Sequence, residues 1–166
     1  MELKKNKKVI VHPSLLGRRQ SALFLDRDGV IIEDKHYLSN PSKVKLCPNI
    51  KEVLKSAFEN DFIIVVITNQ SGIGKGFFGW DEYKSVTERM LFLLGDQYKI
   101  NAIYANSYTD FDDGYWRKPQ PGMFFEAAGD LSIDLKSSIM IGDRDSDLKA
   151  GISAGLTKLV HVLTGH

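Results

Sequence analysis

The most constraining feature of the sequence is an unbroken apolar run, FIIVVI, at residues 62–67. Strands buried on both faces are apolar throughout, whereas strands with one face in water alternate apolar and polar residues. A run this short, rich in β-branched residues, favours a strand over a helix. The run therefore predicts the central strand of a parallel sheet.

Other strand signals alternate with helix signals along the chain. Four further strands are expected, at residues 22–25, 102–105, 138–141 and 157–162. Four helices are expected between them. The first begins at Pro48, with Ile50, Val53, Leu54 and Ala57 on one face, and the second runs from about Glu82 to Leu94 with Asp81 as its N-cap. The third begins at Pro121, with Phe124, Phe125, Ala127 and Ala128 facing inward, and the fourth covers residues 148–154. Repeated strand–helix units predict a single doubly wound, Rossmann-like α/β domain with a parallel sheet.

The N-terminal segment differs in composition from the rest. Residues 4–8 form a basic arm that we expect to be solvated, and residues 9–11 predict a short edge strand closed by Pro13. We therefore place residues 1–20 outside the domain, which spans residues 21–166.

Composition excludes several classes of protein. A net charge of +1 gives no basic face for nucleic acid. The single cysteine, Cys47, excludes a disulfide framework and a cysteine-rich zinc site. No apolar run is long enough to cross a membrane, and the N-terminus lacks a signal-peptide core. We expect a cytoplasmic protein without a membrane partner, and a monomer by default.

Polar residues cluster where the predicted strands end. Asp26 and Asp28 follow the first strand, Thr68 and Asn69 end the second, and the fourth leads to Asp143 and Asp147. Lys118 follows the third strand. The carboxyl ends of parallel strands meet at one edge of the sheet, so we expect these side chains to converge.

The expected cluster suits phosphoryl transfer. Aspartate oxygens are hard ligands for Mg²⁺, and an aspartate can also attack phosphorus to form an aspartyl-phosphate. Lysine and a metal ion neutralise the charge of the transferring group. Two competing motifs fail: the glycines of residues 74–79 come too late after their strand for a dinucleotide turn, and residues 143–154 lack the glycine and glutamate of an EF-hand.

Four ordered segments, DRDG at 26–29, TNQ at 68–70, KP at 118–119 and GDxxxD at 142–147, resemble the motifs of the haloacid dehalogenase-like phosphatases. The resemblance extends from Ser21 to Leu163. Residues 68–76 and 117–123 are similar to the small branch without a large cap domain, particularly the D-glycero-D-manno-heptose-1,7-bisphosphate 7-phosphatases, with the histidinol-phosphate phosphatases as close relatives.

The resemblance implies a role for each carboxylate. Asp26 would attack the phosphate, while Asp28 would protonate the leaving sugar oxygen and then activate water. Mg²⁺ would be held by Asp26, the main-chain carbonyl of Asp28, and Asp143. Asp147 would support this site, either by orienting a ligand or through Lys118.

The remaining motif residues would bind substrate. The resemblance implies that Thr68 and Asn69 donate hydrogen bonds to the transferring phosphoryl group and that Lys118 neutralises its charge. Arg117 is the expected reader of a second phosphate, because a guanidinium group grips phosphate with two hydrogen bonds.

One segment departs from the family pattern. Heptose and histidinol phosphatases carry a Cys/His-rich zinc loop before the Arg-Lys-Pro segment, whereas residues 107–116 here, SYTDFDDGYW, contain neither residue. We therefore predict no zinc, with Phe111, Tyr115 and Trp116 fixing the loop by packing.

The sequence leaves several functions open. The first hypothesis is a Mg²⁺-dependent phosphatase acting on a small phosphorylated sugar, in the synthesis of nucleotide-activated heptose for a surface polysaccharide. The same chemistry allows histidinol phosphate or a nucleic-acid 3′-phosphate as substrate, or transfer of the phosphoryl group to an alcohol. A non-catalytic binding domain of the same fold is a further alternative.

Overall fold

The computed structural model describes residues 4–12 and 18–163. Pro13, expected to close the first strand, lies outside the described residues, as do both ends of the chain. No helix in the described part is long and apolar enough to cross a membrane.

A six-stranded sheet forms the centre of the molecule, in the order β1-β4-β3-β2-β5-β6. The strands are β1 (Asn6–Ile10), β2 (Ala22–Leu25), β3 (Ile63–Asn69), β4 (Ala102–Asn106), β5 (Ile139–Gly142) and β6 (Lys158–His161). All neighbouring strands are parallel except β1, which pairs antiparallel with β4. β3 is buried over residues 63–68, as the apolar run predicts.

Helices cover both faces of the sheet. They are α1 (Ile50–Glu59), α2 (Ser71–Gly74), α3 (Trp80–Leu94), α4 (Gly122–Leu131) and α5 (Asp145–Ala154), with 3₁₀ helices at Pro41–Lys43 and Leu135–Ser137. One core cluster joins the sheet to α1 and α3, through Leu54 and Met90, and a second joins it to α4 and α5, through Phe124 and Ala150. This confirms the doubly wound α/β fold, and the described residues contain no separate cap domain.

The strand register brings the functional segments together. Leu25, the last residue of β2, lies beside Val66 of β3 and Ile141 of β5. The chain leaves β2 toward β3 on one side and returns to β5 on the other, so the strand order reverses between β2 and β5. Ligands of such sheets bind at this switch point, where Asp26 and Asp143 follow their strands.

The basic arm, residues 4–8, was expected to be solvated, but its residues 6–8 belong to β1. Asn6 to Ile10 pair with Asn106 to Ala102, so the edge strand begins earlier than the apolar residues alone suggest. The side chains of Lys7 and Lys8 stay exposed, because an edge strand pairs through its main chain on one side only. The placement of the domain boundary at residue 21 stays a prediction.

Two helical details also differ from the sequence prediction. Helix α3 begins at Trp80, because Gly79 is its N-cap and donates its N–H to Glu82 Oε2 at 2.8 Å, so Asp81 is not the cap. In α4, Phe125 is 43% exposed, whereas Met123 and Phe124 are fully buried. The helix turns Phe125 away from the sheet although it is as apolar as its neighbour.

We predict that Phe124→Ala lowers the free energy of unfolding by about 3–5 kcal/mol, because a buried aromatic ring leaves a cavity. Phe124 lies 4.7 Å from Phe24 between ring centroids. Phe125→Ala is the matched control and should cost less than about 1 kcal/mol. Urea unfolding of both variants checks this, and equal losses would contradict the assigned faces of α4.

Candidate active site

A buried lysine lies at the centre of the polar cluster. Lys118 is 3% exposed, and its Nζ donates to Asp147 Oδ1 at 2.6 Å and to the main-chain carbonyl of Ile67 at 2.9 Å. The same nitrogen lies 3.1 Å from Asp26 Oδ1. One ammonium group therefore joins the ends of β2 and β3 to the start of α5.

The charges in this cluster are unbalanced. Burial alone would lower the pKa of Lys118, but Asp147 and Asp26 outweigh it and raise that pKa above its ordinary value, so the lysine stays charged. Burial raises the pKa of Asp26 well above its usual range; Lys118 opposes this, and the neighbouring carboxylates add to it. Within this cluster, the positive charge of Lys118 therefore offsets only part of the effect that burial has on the pKa of Asp26.

The donor set fits a hard divalent cation. Asp26, Asp143 and Asp147 each bring one carboxylate oxygen within 4.8 Å of the others, and all three residues are buried. Asp147 is engaged on both oxygens, since Oδ2 accepts the N–H groups of Asp143 at 3.2 Å and Arg144 at 3.1 Å. Asp26 and Asp143 are therefore the better ligand candidates, and Asp147 orients them. Three carboxylates are oxygen donors of the kind Mg²⁺ prefers.

Gly29 allows Asp143 to approach the first strand end. Its φ of +88° is one that residues with a side chain rarely adopt, and a Cβ placed there would lie 2.1 Å from Asp143 Oδ2. The glycine of the first motif is thus required both by its backbone conformation and by the packing of a candidate metal ligand.

Asp28 lies in a different environment from Asp26. Its side chain is 22% exposed and faces the cleft. Arg27 holds both carboxylate oxygens, with Nε 3.0 Å from Oδ2 and Nη2 3.3 Å from Oδ1, and Gln70 Nε2 donates to Oδ2 at 2.9 Å. Arg27 is 1% exposed, with Thr87 and the Tyr83 ring against its guanidinium group. Asp28 is therefore fixed by a buried clamp.

Asn69 holds the lysine segment to the sheet. Its Oδ1 accepts the N–H of Lys118 at 3.0 Å, and its Nδ2 donates to the carbonyl of Lys118 at 3.1 Å. Asn106, the last residue of β4, donates to the same Oδ1 at 2.9 Å. The amide nitrogen of Asn69 has a second hydrogen that it can donate to a phosphoryl group. The expected hydrogen bond to that group therefore stays a prediction.

Thr68 is fully buried. Its hydroxyl oxygen accepts a hydrogen bond from Gln70 Nε2 at 2.8 Å. A hydroxyl that accepts one bond can still donate its own hydrogen, so the expected phosphate contact of Thr68 also stays a prediction.

A cleft of about 800 Å³ opens above these groups. Asp26, Asp28, Asn69 and Lys118 line its floor, and Arg117 lines a wall. Arg117 is paired with Asp110 and donates from Nη1 to the carbonyl of Tyr108 at 2.9 Å. It therefore faces the space that a substrate would enter while also bracing the loop before it.

That loop, residues 107–117, is fixed differently from the prediction. Phe111 is 97% exposed and does not hold the loop by packing, whereas Trp116 packs against Tyr104 at 5.9 Å between ring centroids. The Tyr115 ring is 58% exposed but lies against Gly122, where a Cβ would be 2.8 Å from it. Polar contacts do the rest, because Asp112 Oδ2 accepts the N–H of Thr109 at 2.7 Å. A short acidic loop closes more readily on its own N–H groups than on aromatic rings that water can reach.

Comparison with known proteins identifies the family. A family model described as HAD-hydrolase-like matches residues 115–166. The D-glycero-beta-D-manno-heptose-1,7-bisphosphate 7-phosphatase of Mesorhizobium japonicum is 39% identical over 145 residues, covering 82% of this chain and 67% of that protein. The chain belongs to the haloacid dehalogenase-like phosphatases. The D-glycero-alpha-D-manno-heptose-1,7-bisphosphate 7-phosphatase of Campylobacter jejuni is 34% identical over 145 residues, covering 87% of this chain and 83% of that protein.

Solved structures of this family have the same fold. A HAD-like phosphatase from Mesorhizobium loti superposes with a TM-score of 0.90 at 34% identity, over 96% of this chain and 80% of that one. The D,D-heptose 1,7-bisphosphate phosphatase of B. bronchiseptica, complexed with magnesium and phosphate, gives 0.80 at 29% identity, over 88% and 82% of the two chains.

Three positioning residues escaped the sequence analysis: Arg27, Gln70 and Asn106. Arg27 and Gln70 lie within the motifs, but nothing in the sequence shows that they turn toward Asp28. Asn106 could have been predicted, because it is a polar residue at the end of an apolar strand, the same pattern that indicated the other site residues at strand ends.

We predict that Gly29→Ala abolishes most phosphatase activity, because the added methyl group displaces Asp143. Gly76→Ala is the control: Gly76 also has a positive φ, +79°, but its Cβ would meet nothing within 4 Å. The control should lose about 1 kcal/mol of stability and keep its activity. Release of phosphate from an aryl phosphate and thermal unfolding measure both effects. Equal activity losses would show that backbone strain alone matters.

Proposed function

We propose that this protein is a Mg²⁺-dependent phosphatase that removes the 7-phosphate of D-glycero-D-manno-heptose 1,7-bisphosphate through an aspartyl-phosphate on Asp26. The observation that carries the proposal is the separation of two nearby carboxylates into two environments. Asp26 is buried against Lys118, whereas Asp28 is exposed to the cleft in the Arg27–Gln70 clamp. Two carboxylates in different surroundings can serve as nucleophile and acid–base catalyst.

In the first step, a carboxylate oxygen of Asp26 attacks phosphorus in line with the sugar oxygen. The bond from phosphorus to that sugar oxygen breaks, and Asp28 gives its proton to the departing alcohol. In the second step, Asp28 takes a proton from water, which attacks phosphorus and releases Asp26 and inorganic phosphate. Asp28 thus ends the cycle protonated, ready for the next substrate.

The surrounding residues stabilise the charge that develops on the phosphoryl oxygens. Lys118 holds Asp26 in place and contributes its own positive charge. Mg²⁺ bound by Asp26, the Asp28 main-chain carbonyl and Asp143 would supply the remaining positive charge. Thr68 and Asn69 would donate hydrogen bonds to the same oxygens.

Arg117 is the proposed reader of the second phosphate. It lines the cleft on the loop before Lys118, and its present partner, Asp110, is 70% exposed on its side chain. An exposed ion pair contributes little, so a phosphate that offers two oxygens can replace it. The names of the relatives support a bisphosphate, and both the beta and the alpha anomer occur among them.

One observation favours a second substrate. Among the aspartates that line the cleft, Asp34, Asp110 and Asp112 are paired with Arg144, Arg117 and Lys5, whereas Asp113 has no ion pair with another described residue. An acid at this position suits a substrate with a positively charged amine, so histidinol phosphate is the second candidate.

The proposed substrate also fixes the expected location. A bisphosphate carries several charges and does not cross a lipid bilayer, so its phosphatase belongs in the compartment that makes it, the cytoplasm. A monomer stays our expectation, which light scattering tests.

We predict that the wild type with Mg²⁺, and without zinc, releases phosphate from heptose 1,7-bisphosphate in preference to histidinol phosphate and a 3′-phosphorylated oligonucleotide. Both anomers of the bisphosphate are assayed. Asp26→Asn should lower kcat by at least about 10⁴-fold, because it removes the nucleophile. Selective turnover of histidinol phosphate would replace the substrate but keep the mechanism. Full activity in Asp26→Asn would refute the mechanism.

Arg117→Lys should raise KM for the bisphosphate about tenfold and leave KM for an aryl phosphate within about twofold. A lysine keeps the charge but loses the paired hydrogen bonds, worth about 1–2 kcal/mol here. Steady-state kinetics on both substrates measure this. An equal change on both would place Arg117 in the loop's structure and not at the second phosphate.

A further inference from the structure

The N-terminal arm reaches the wall of the active-site cleft. β1 pairs with β4, and the cleft loop, residues 107–117, follows β4 directly. Six residues of this loop line the cleft, among them Arg117 and Asp112. The arm and the loop are about 100 positions apart in the sequence and meet at this edge of the sheet.

Lys5 contacts three residues of this loop. Its main-chain carbonyl accepts the N–H of Ser107 at 2.8 Å. Its Nζ forms an ion pair with Asp112 Oδ1 at 3.1 Å and lies 5.4 Å from the centre of the Tyr108 ring. Main chain and side chain of one residue therefore hold the beginning and the middle of the loop.

Asp112 joins the arm to the loop's own hydrogen bonds. One oxygen, Oδ1, pairs with Lys5, while Oδ2 accepts the N–H of Thr109 at 2.7 Å and its hydroxyl at 3.1 Å. The hydrogen bond from the Thr109 N–H and the pair with Lys5 lower the pKa of Asp112, so it stays ionised at neutral pH.

Tyr108 connects Lys5 to Arg117, because it contacts both residues. Its ring packs on Gly114, where a Cβ would lie 2.3 Å from the ring, and its carbonyl accepts from Arg117 Nη1 at 2.9 Å. The other side of the arm is also fixed, because Trp80 Nε1 donates to the carbonyl of Lys4 at 3.0 Å. Lys5 is thus held between the start of α3 and the loop that carries the substrate-binding arginine.

We propose that the N-terminal arm, residues 4–10, is a positioning element for substrate binding, in which Lys5 holds the cleft loop through Asp112 and Tyr108. The effect on substrate rests on the proposed function, because it acts through Arg117. The effect on the loop does not. A lone exposed ion pair contributes little to stability, but here the pair, the ring contact and the main-chain bond act on one short segment.

The matched control is Lys8, on the same N-terminal arm. Lys8 also pairs with carboxylates, Glu126 at 2.7 Å and Asp130 at 3.0 Å, but these lie on α4 and not on the loop. Lys8→Ala therefore removes the same kind of interaction from the same arm without removing a contact to the cleft loop.

The experiment combines kinetics with amide hydrogen exchange on the full-length protein. Lys5→Ala should raise KM for the bisphosphate about three- to fivefold with kcat within about twofold, and should speed exchange in residues 107–117 by a similar factor. Lys5→Arg should restore both values. In an Asp112→Asn background, which keeps an acceptor for Thr109, Lys5→Ala should change KM and exchange less than it does in the wild type.

Unchanged exchange in Lys5→Ala, or the same change in Lys8→Ala, would overturn the proposal. So would a loss of kcat with unchanged KM, which would place the arm's effect on the chemistry. If the wild type hydrolysed none of the substrates, the proposed function would fail, and the exchange measurement alone would still decide whether Lys5 holds the loop.

Discussion

The structure of the site depends on the burial of one ammonium group among carboxylates. Lys118 has 3% of its surface exposed, and its ammonium group is paired with both Asp147 and Asp26. Removing one partner of such a buried pair typically costs about 3–5 kcal/mol, because the remaining charge has no water to solvate it. The ends of β2 and β3, the start of α5 and the loop before Lys118 must therefore keep their relative positions, and Asn69 enforces this by binding the main chain of Lys118 on both sides.

The same arrangement accounts for the division of labour between neighbouring carboxylates. Asp26 lies inside the charged network, whereas Asp28, two positions later, lies at the cleft with a separate cation, Arg27. Gly29, which has a positive φ in the turn after β2, makes this separation of Asp26 from Asp28 possible, because without a side chain it lets Asp143 approach the main chain there. A nucleophile held rigidly and an acid–base group open to water are the two requirements of a phosphoryl-transfer site that works in two steps.

Much of this was predictable because it depends on strand ends. An apolar run followed by polar residues identifies where a parallel strand delivers side chains, and Asp26, Thr68 and Asp143 all follow that pattern. The contacts between side chains were not predictable, because the direction of Arg27 or Gln70 is set by packing against distant residues such as Tyr83. The prediction for the cleft loop was wrong at Phe111, because an apolar side chain alone does not show whether it meets the core, and this one is 97% exposed. Only part of the edge strand was predicted, because its lysines pair through the main chain and amino-acid composition does not indicate such pairing.

The central claim is that Asp26 is the residue that carries the phosphoryl group. The most direct measurement is to mix Asp28→Asn with an aryl phosphate, quench in acid, and locate the phosphoryl group by peptide mass spectrometry. An aryl leaving group needs little protonation, so transfer should proceed while hydrolysis, which needs Asp28, stalls. The account predicts a phosphoryl group on Asp26, absent when Asp26→Asn is added. Phosphate released with no phosphorylated peptide, or with the group on another residue, would contradict it.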